Sequence, residues 1–290
     1  MKTLKVGIFG AAGYIGTRLC AMIREAGYEP VPFSRSDRPG FRKISSSALP
    51  DVSGLDAVVN LAGEPILGFW TPSKRQKILS SRVDITNRIV DAMLTQPNAP
   101  KVLINASAVG FYGDTGDGIA TESTAAGTGF LADVCKAWEA ATTPAQLSAL
   151  RVVRIRIGFV TGFGGAMGLV LPVFKAGLGG NLGNGRQWMS CIHVDDVAGM
   201  ILWAISNDSL SGPLNAVNPQ AVRNSEFTLA VARAVRRPAI FPVPAGILRT
   251  LLGDLSHVML DSVRVAPTVA LTGGYKYRYS TLDAGLHASV

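Results

Sequence analysis

Apolar residues fall in short continuous runs through the first half of the chain. LKVGIF (4–9), PVPFS (30–34), LDAVVNLAG (55–63), KVLINASA (101–108) and LRVVRIRIGFVTG (150–162) each read as a strand. Between them lie stretches with helical spacing: GTRLCAMIREAG (16–27), closed by Gly27; TPSKRQKILSSRVDITNRIVDAML (71–94), opened by Thr-Pro; and FLADVCKAWEAA (130–141), with Leu131, Val134, Cys135 and Trp138 on one face. Strands that are apolar without strict alternation are buried on both faces, as in a parallel sheet covered by helices. The alternation predicts right-handed crossovers and an α/β, doubly wound parallel-sheet Rossmann fold.

After Gly162 the pattern changes. GFGGAMGLVLPVFKAGLGGNLGNGRQWM is glycine-rich with one short helix, CIHVDDVAGMILWAIS adds a strand edge and a helix, and the chain from about 219 gives two helices, Pro-bounded segments and a terminal helix. The expected division is a cofactor-binding Rossmann domain over 1–165 and a smaller substrate-side lobe over 166–290. The lobe is partly interleaved, with a strand and helix near 190–206 returning to the Rossmann sheet. There is no repeat and no low-complexity linker.

Composition narrows the function classes. Of 290 residues 48% are hydrophobic and 17% charged, which argues against extensive disorder. A net charge of +8 fits either an anionic partner or a solvated basic surface, and the arginines are too scattered for a nucleic-acid tract. Cys20, Cys135 and Cys191 stand far apart without a CxxC pair, so neither a disulfide framework nor a metal site is expected. The apolar VGIF run near the N-terminus is too short for a signal peptide, and no run of 18 apolar residues occurs; the expectation is a cytoplasmic protein with no membrane partner.

Gly10-Ala11-Ala12-Gly13-Tyr14-Ile15-Gly16 follows the first strand and opens the first helix. Glycines at these places allow a sharp turn, backbone approach to a pyrophosphate, and close helix–sheet packing, with the helix N-terminus facing the phosphates. The second strand ends in FSRS, with Ser34 where NAD enzymes place an acid, followed by Arg35. A carboxylate repels a 2′-phosphate; a hydroxyl and a guanidinium bind one. NADP(H) is therefore expected over NAD(H), with Arg38 a second candidate and a solvated Arg35 the alternative.

NLAG at 60–63, the strand KVLINASAVGFYGD and the stretch RQWMSCIHVDDVAGMI resemble segments of extended short-chain dehydrogenases/reductases. NLAGEPI, Trp70 to Arg82, NASAVGFYGD, FLADVCKAWE and the tail from PVPAGILRTLLGD are together similar to an epimerase-like subgroup labelled sugar-nucleotide epimerase or cell-division-inhibitor-like proteins. The resemblance covers essentially the whole chain. It implies that Leu61, Ala62, Gly63 and Ala106 border the cofactor. It also implies a Tyr-x-x-x-Lys proton relay in the helix 130–141, and this chain lacks it. Aligned on Glu139, Leu131 and Cys135 take those positions; aligned on Lys136, Ala132 takes the tyrosine's.

Candidate replacements are Glu64, whose pKa a dry pocket would raise, Ser107 at a central strand end, and Tyr112. Each has a plain alternative: a structural hydrogen bond, a small strand-end residue, a wall aromatic. Lys136 is as readily a solvated lysine. Arg82 stands where the family pattern often has Asn, and is expected either to clamp a substrate carboxylate or phosphate or to form an ion pair. Arg186, Trp188 and His193, with Ser190, form a substrate-side set, although His193 before Asp195 and Asp196 also reads as a cap. The reading is an NADP(H)-dependent oxidoreductase or epimerase-like protein acting on a small polar, sugar-like or anionic substrate. The alternative is a catalytically reduced NADP(H) sensor. A homo-oligomer is left open.

Overall fold

In the computed structural model, residues 3–45 and 47–289 are described. The apolar runs become the parallel strands β1 (Lys5–Phe9), β2 (Glu29–Ser34), β4 (Ala57–Asn60), β5 (Val102–Ala108) and β6 (Arg151–Ile157), and a short polar β3 (Arg42–Lys43) follows β2. Later come β7 (Phe159–Thr161), β8 (Trp188–Met189), β9 (Cys191–His193), β10 (Gly212–Ala216) and β11 (Val222–Arg223). Seven of them form one sheet in the order β10-β6-β5-β4-β1-β2-β3, with every pairing parallel. This is the doubly wound Rossmann arrangement.

The helices are α1 (Tyr14–Glu25), α2 (Pro72–Thr95), α3 (Phe130–Ala140), α4 (Thr143–Leu147), α5 (Met167–Lys175) and α6 (Val194–Ser206), followed by α7 (Asn224–Val235), α8 (Ala245–Leu252), α9 (His257–Leu260), α10 (Thr268–Thr272) and α11 (Leu282–His287). Leu19 and Ile23 of α1 and Val197 and Ile201 of α6 bury one sheet face with Val6, Ile8, Val59, Ile104, Ile155 and Leu214. Ile89 and Met93 of α2 cover Phe9, Val58, Leu103 and Val152 on the other. A third core unites α5, α7 and α11 through Met167, Phe174, Phe227, Val231 and Leu286.

Two expectations change. The run 150–162 is not one strand: the chain breaks at Gly158, and β7 leaves the sheet to pair with β9. A Cβ at Gly158 would lie 2.3 Å from the Ser190 carbonyl oxygen and 2.8 Å from Val217, so only glycine lets the chain cross there. The helix after residue 193 returns to the sheet, but the strand that joins it is β10, whereas β9 stays outside. The short β3 was not anticipated; it pairs only with Phe33 and Ser34, so β2 keeps an open edge that accommodates Pro30 and Pro32. No helix among the described residues is long and apolar enough to cross a membrane.

Candidate functional site

The turn between β1 and α1 is built for a phosphate. Gly10 has φ +81°, and a Cβ there would lie 2.7 Å from the Leu61 carbonyl carbon; at Gly16 it would lie 2.3 Å from the Gly10 oxygen. Gly10 oxygen accepts from the Gly13 amide at 2.9 Å, which closes the turn. Ala12 and Gly13 are exposed, Ile15 is half-buried, and the α1 N-terminus has no side-chain cap, so its first-turn N–H groups are available to an anion. The Tyr14 side chain is taken up inside the fold. Its ring packs under Gly162, Gly164 and Gly165, its hydroxyl points at the Thr161 oxygen (3.5 Å), and burial raises its pKa.

At the end of β2 the Ser34 hydroxyl accepts from the Ser36 amide at 3.2 Å. Arg35 is exposed and has no ion-pair partner among the described residues. Its charge reaches Glu64 past the end of β4, so both loops open on the same side.

The NLAG turn is held by a buried polar network. Asn60 Nδ2 donates to Thr86 Oγ1 (2.9 Å) and Asn105 Oδ1 (2.8 Å), while Asn60 Oδ1 accepts from the Ala62 amide (3.2 Å). Thr86 Oγ1 also accepts from Trp138 Nε1 (3.1 Å) and donates to the Arg82 carbonyl (2.7 Å), which fills its hydrogen-bonding capacity. Leu61 is fixed by its amide on the Phe9 oxygen at 2.9 Å. Under Gly63 lies the Arg82 guanidinium: a Cβ at 63 would meet Arg82 Cζ at 3.0 Å. Arg82 Nη1 donates to the carbonyls of Glu64 (3.0 Å) and Ile78 (2.9 Å), and Cζ sits 5.1 Å from the Trp138 ring centre. Burial lowers the Arg82 pKa.

Several expected roles need correction. The Glu64 carboxylate takes a hydrogen bond from Lys74 Nζ at 2.7 Å, and that bond holds its pKa below the usual value; the raised pKa expected of a dry carboxyl is reversed. Tyr112 is buried, donating to Asn215 Oδ1 (2.7 Å) and accepting from Arg156 Nη1 (2.9 Å), so its proton is committed inside the fold. Lys136 turns outward to Asp133 at 2.6 Å. Leu131 packs at Gly110, Ala132 is buried, and Cys135 is buried beside Ser107, its thiol pushed up by burial to about 11. Glu139 makes a two-bond ion pair with Arg156 (2.8 and 2.9 Å). Ala106 faces the core under α1 and α6. Of the proton-transfer candidates Ser107 has the least committed group: its buried Oγ has no nitrogen or oxygen partner and meets only the Cys135 thiol.

The substrate-side set does not converge. Arg186 is exposed and gives its carbonyl to the Arg223 guanidinium. Trp188 carries Arg223 (3.8 Å) and Arg264 (4.1 Å) over its ring and donates Nε1 to Asp117 (2.9 Å). Ser190 is tied to Val263 and Val265. His193 is buried: Nδ1 accepts the Asp195 amide (3.2 Å), so the neutral ring carries its proton on Nε2, which meets Ser289 Oγ at 2.9 Å. The capping alternative holds for it, and burial lowers its pKa. The following acids are a latch. Asp195 bonds Arg18 (2.6 Å) and Arg278 (3.0 Å), while buried Asp196 receives the amides of Arg278 (2.7 Å) and Tyr279 (2.9 Å). Among the described residues no group of three His, Cys, Asp or Glu side chains is placed to hold a metal.

Lys74 and the Glu139–Arg156 pair were not anticipated. Lys74 had no sequence signal. Arg154 and Arg156 inside a central apolar run did, because a charge there requires a partner.

Comparison with known proteins agrees with this geometry. Residues 243–288 match a domain of unknown function, DUF1731. The chain is 36% identical to the epimerase family protein SDR39U1 homolog, chloroplastic, of Arabidopsis thaliana over 98% of this chain and 86% of that protein. It is 34% identical to the epimerase family protein YfhF of Bacillus subtilis over 98% and 97%. The crystal structure of human epimerase family protein SDR39U1 (isoform 2) with NADPH superposes with a TM-score of 0.92 at 32% identity, covering 98% of each chain. Residues 6–218, from β1 to just beyond β10, match the family described as NAD dependent epimerase/dehydratase, and the chain belongs to it.

Proposed function

We propose that this protein binds NADP(H) and acts with it on a small polar substrate, without the Tyr-x-x-x-Lys relay usual in short-chain dehydrogenases/reductases. The observation that carries the reading is the exposed Arg35 just after β2, without an ion-pair partner among the described residues, together with the uncapped N-terminus of α1 after the glycine turn. A 2′-phosphate placed there gains a charge-assisted contact that the NADH hydroxyl does not. The 32% identity to a human protein crystallised with NADPH supports the same choice. The chemistry such a bound dinucleotide supplies is hydride transfer. The chain's own contribution is to hold the NLAG turn through Asn60, Thr86 and Asn105, and to offer the Ser107 hydroxyl to a substrate oxygen.

Calorimetry tests this. NADPH binds at least about 10-fold more tightly than NADH, and Arg35→Ala removes most of that preference while leaving NADH affinity unchanged. Equal affinities for the two dinucleotides in the unmodified protein refute it. Glu64 held ionised by Lys74 and Tyr112 committed to Asn215 and Arg156 favour a second reading, an NADP(H) sensor. Oxidation of bound NADPH followed by absorbance across carbonyl compounds separates them: turnover with any compound removes the sensor.

A further inference from the structure

Arg82 and Arg156 both pack against the α2–α3 side of the sheet, and they differ in one respect. Arg156 lays its Nε–Nη2 edge along both carboxylate oxygens of Glu139, at 2.8 and 2.9 Å. In Arg82 the same edge is bare. Its Nη1 serves two backbone carbonyls, while Nε and Nη2 have no acceptor and no carboxylate lies within ion-pair distance among the described residues. Glu64, adjacent to Gly63, gives its carboxylate to Lys74 instead. Arg82 is half-buried, and this edge is left to water or to an anionic ligand, since no carboxylate of the described residues neutralises it.

A second polar group lies beside it. The Cys135 thiol, between α3 and the end of β5, feels the Arg82 charge and hydrogen-bonds Ser107. Ser107 is 3% exposed, and its hydroxyl has no nitrogen or oxygen partner, only that thiol, a weak one. A cation edge and a weakly held hydroxyl therefore share one patch under the NLAG turn.

We propose that this patch seats a carboxylate carried by the substrate, with the Arg82 Nε–Nη2 edge gripping both oxygens and Ser107 donating to a neighbouring carbonyl or hydroxyl oxygen. The substrate class is thus a small oxo or hydroxy acid. Glu139 on Arg156 shows the shape that such an edge accepts in this fold: planar, with two oxygens. A phosphate dianion calls for a second cation, and the neighbouring Lys74 is already neutralised by Glu64. The assignment rests on the reading that the nicotinamide end of the dinucleotide lies at NLAG.

The test uses oxamate, with neutral oxamide and inorganic phosphate as controls, on the full chain with and without NADPH. Binding is read by calorimetry and by the ¹⁵N Nε–H resonance of Arg82, assigned through its loss in Arg82→Lys. The expected result is a saturable oxamate shift of that resonance, no shift with oxamide, and weaker binding of phosphate. Oxamate affinity falls about 30-fold in Arg82→Met and about 5- to 10-fold in Ser107→Ala. NADPH affinity in Arg82→Met stays within about threefold of the unmodified protein, since the edge does not hold the cofactor.

An unmoved Arg82 resonance overturns the assignment, as do equal effects of oxamide, tighter phosphate binding, or a parallel loss of NADPH affinity in Arg82→Met. If the unmodified protein binds no NADPH, the cofactor reading fails, and oxamate titration of the unliganded chain still decides the seat. Should Arg82→Met not fold, the resonance of the unmodified protein and the affinity of Arg82→Lys give the answer.

Discussion

Replacing Glu139 by leucine tests whether the polar layer that took over from the missing relay is structural. Glu139 and Arg156 have side chains only 7% and 5% exposed, and both oxygens accept, at 2.8 and 2.9 Å. Arg156 also donates to Tyr112 at 2.9 Å and stacks 3.5 Å from the Phe111 ring centre, so it cannot swing out to water without dismantling the turn after β5. Removing only the carboxylate leaves a buried guanidinium uncompensated, which costs about 3–5 kcal/mol. That is a third or more of the stability of an ordinary domain, about 5–15 kcal/mol. Removing both charges in Glu139→Leu/Arg156→Leu takes away the uncompensated ion. It leaves chiefly the Tyr112 hydroxyl oxygen and the Glu122 carbonyl without their Arg156 donor, so the double variant recovers about 2 kcal/mol over the single one. Urea titration followed by tryptophan fluorescence, with constant slope across variants, gives these differences. A cost below about 1 kcal/mol for Glu139→Leu, or a double variant no more stable than the single, refutes the claim that the pair pins α3 to β6.

Asp196→Ala strips the amides of Arg278 and Tyr279 of their acceptor and costs about 2–4 kcal/mol, and limited proteolysis then cleaves first in the segment 275–289. His193 gives a pH dependence of definite sign: burial lowers its folded pKa below 6.5, so folding favours the neutral ring. Its contribution is complete above about pH 6.5 and is lost as pH falls through the lowered folded pKa. The urea midpoint of the unmodified protein therefore drops between pH 7 and 5 more than that of His193→Gln; parallel profiles contradict the assignment.

What the sequence disclosed and what it withheld divide along the range of the interactions. Strand runs, the glycine turn and the helix 130–141 are encoded by residues close in the chain, and their periods and spacings are visible without coordinates. The break at Gly158 depends on Ser190 and Val217, and nothing near residue 158 announces either. Glu64 looked like a dry carboxyl because Lys74 stands ten residues later, in the first turn of a helix whose angle to NLAG is set by packing. Tyr112 lost its candidacy to Arg156 and Asn215, residues 44 and 103 positions away. In the stretch 186–193 proximity in sequence misled, because alternating positions point Trp188 to Asp117 and His193 to the C-terminal Ser289.

The same long-range view explains how the helix stays docked without the tyrosine and lysine that the resemblance leads one to expect on it. Cys135 and Trp138 make α3 a packing surface, with Trp138 bonded to Thr86 and Glu139 locked to Arg156. The polar groups have moved to neighbours: Asn60, Asn105 and Ser107 project from the ends of β4 and β5, while Arg82 brings a positive charge from α2 to the underside of Gly63. A lysine on α3 would be flexible and able to shed its proton; an arginine wedged under a glycine does neither. Charge is thus retained next to NLAG in a form suited to holding an anion in place and unsuited to passing a proton.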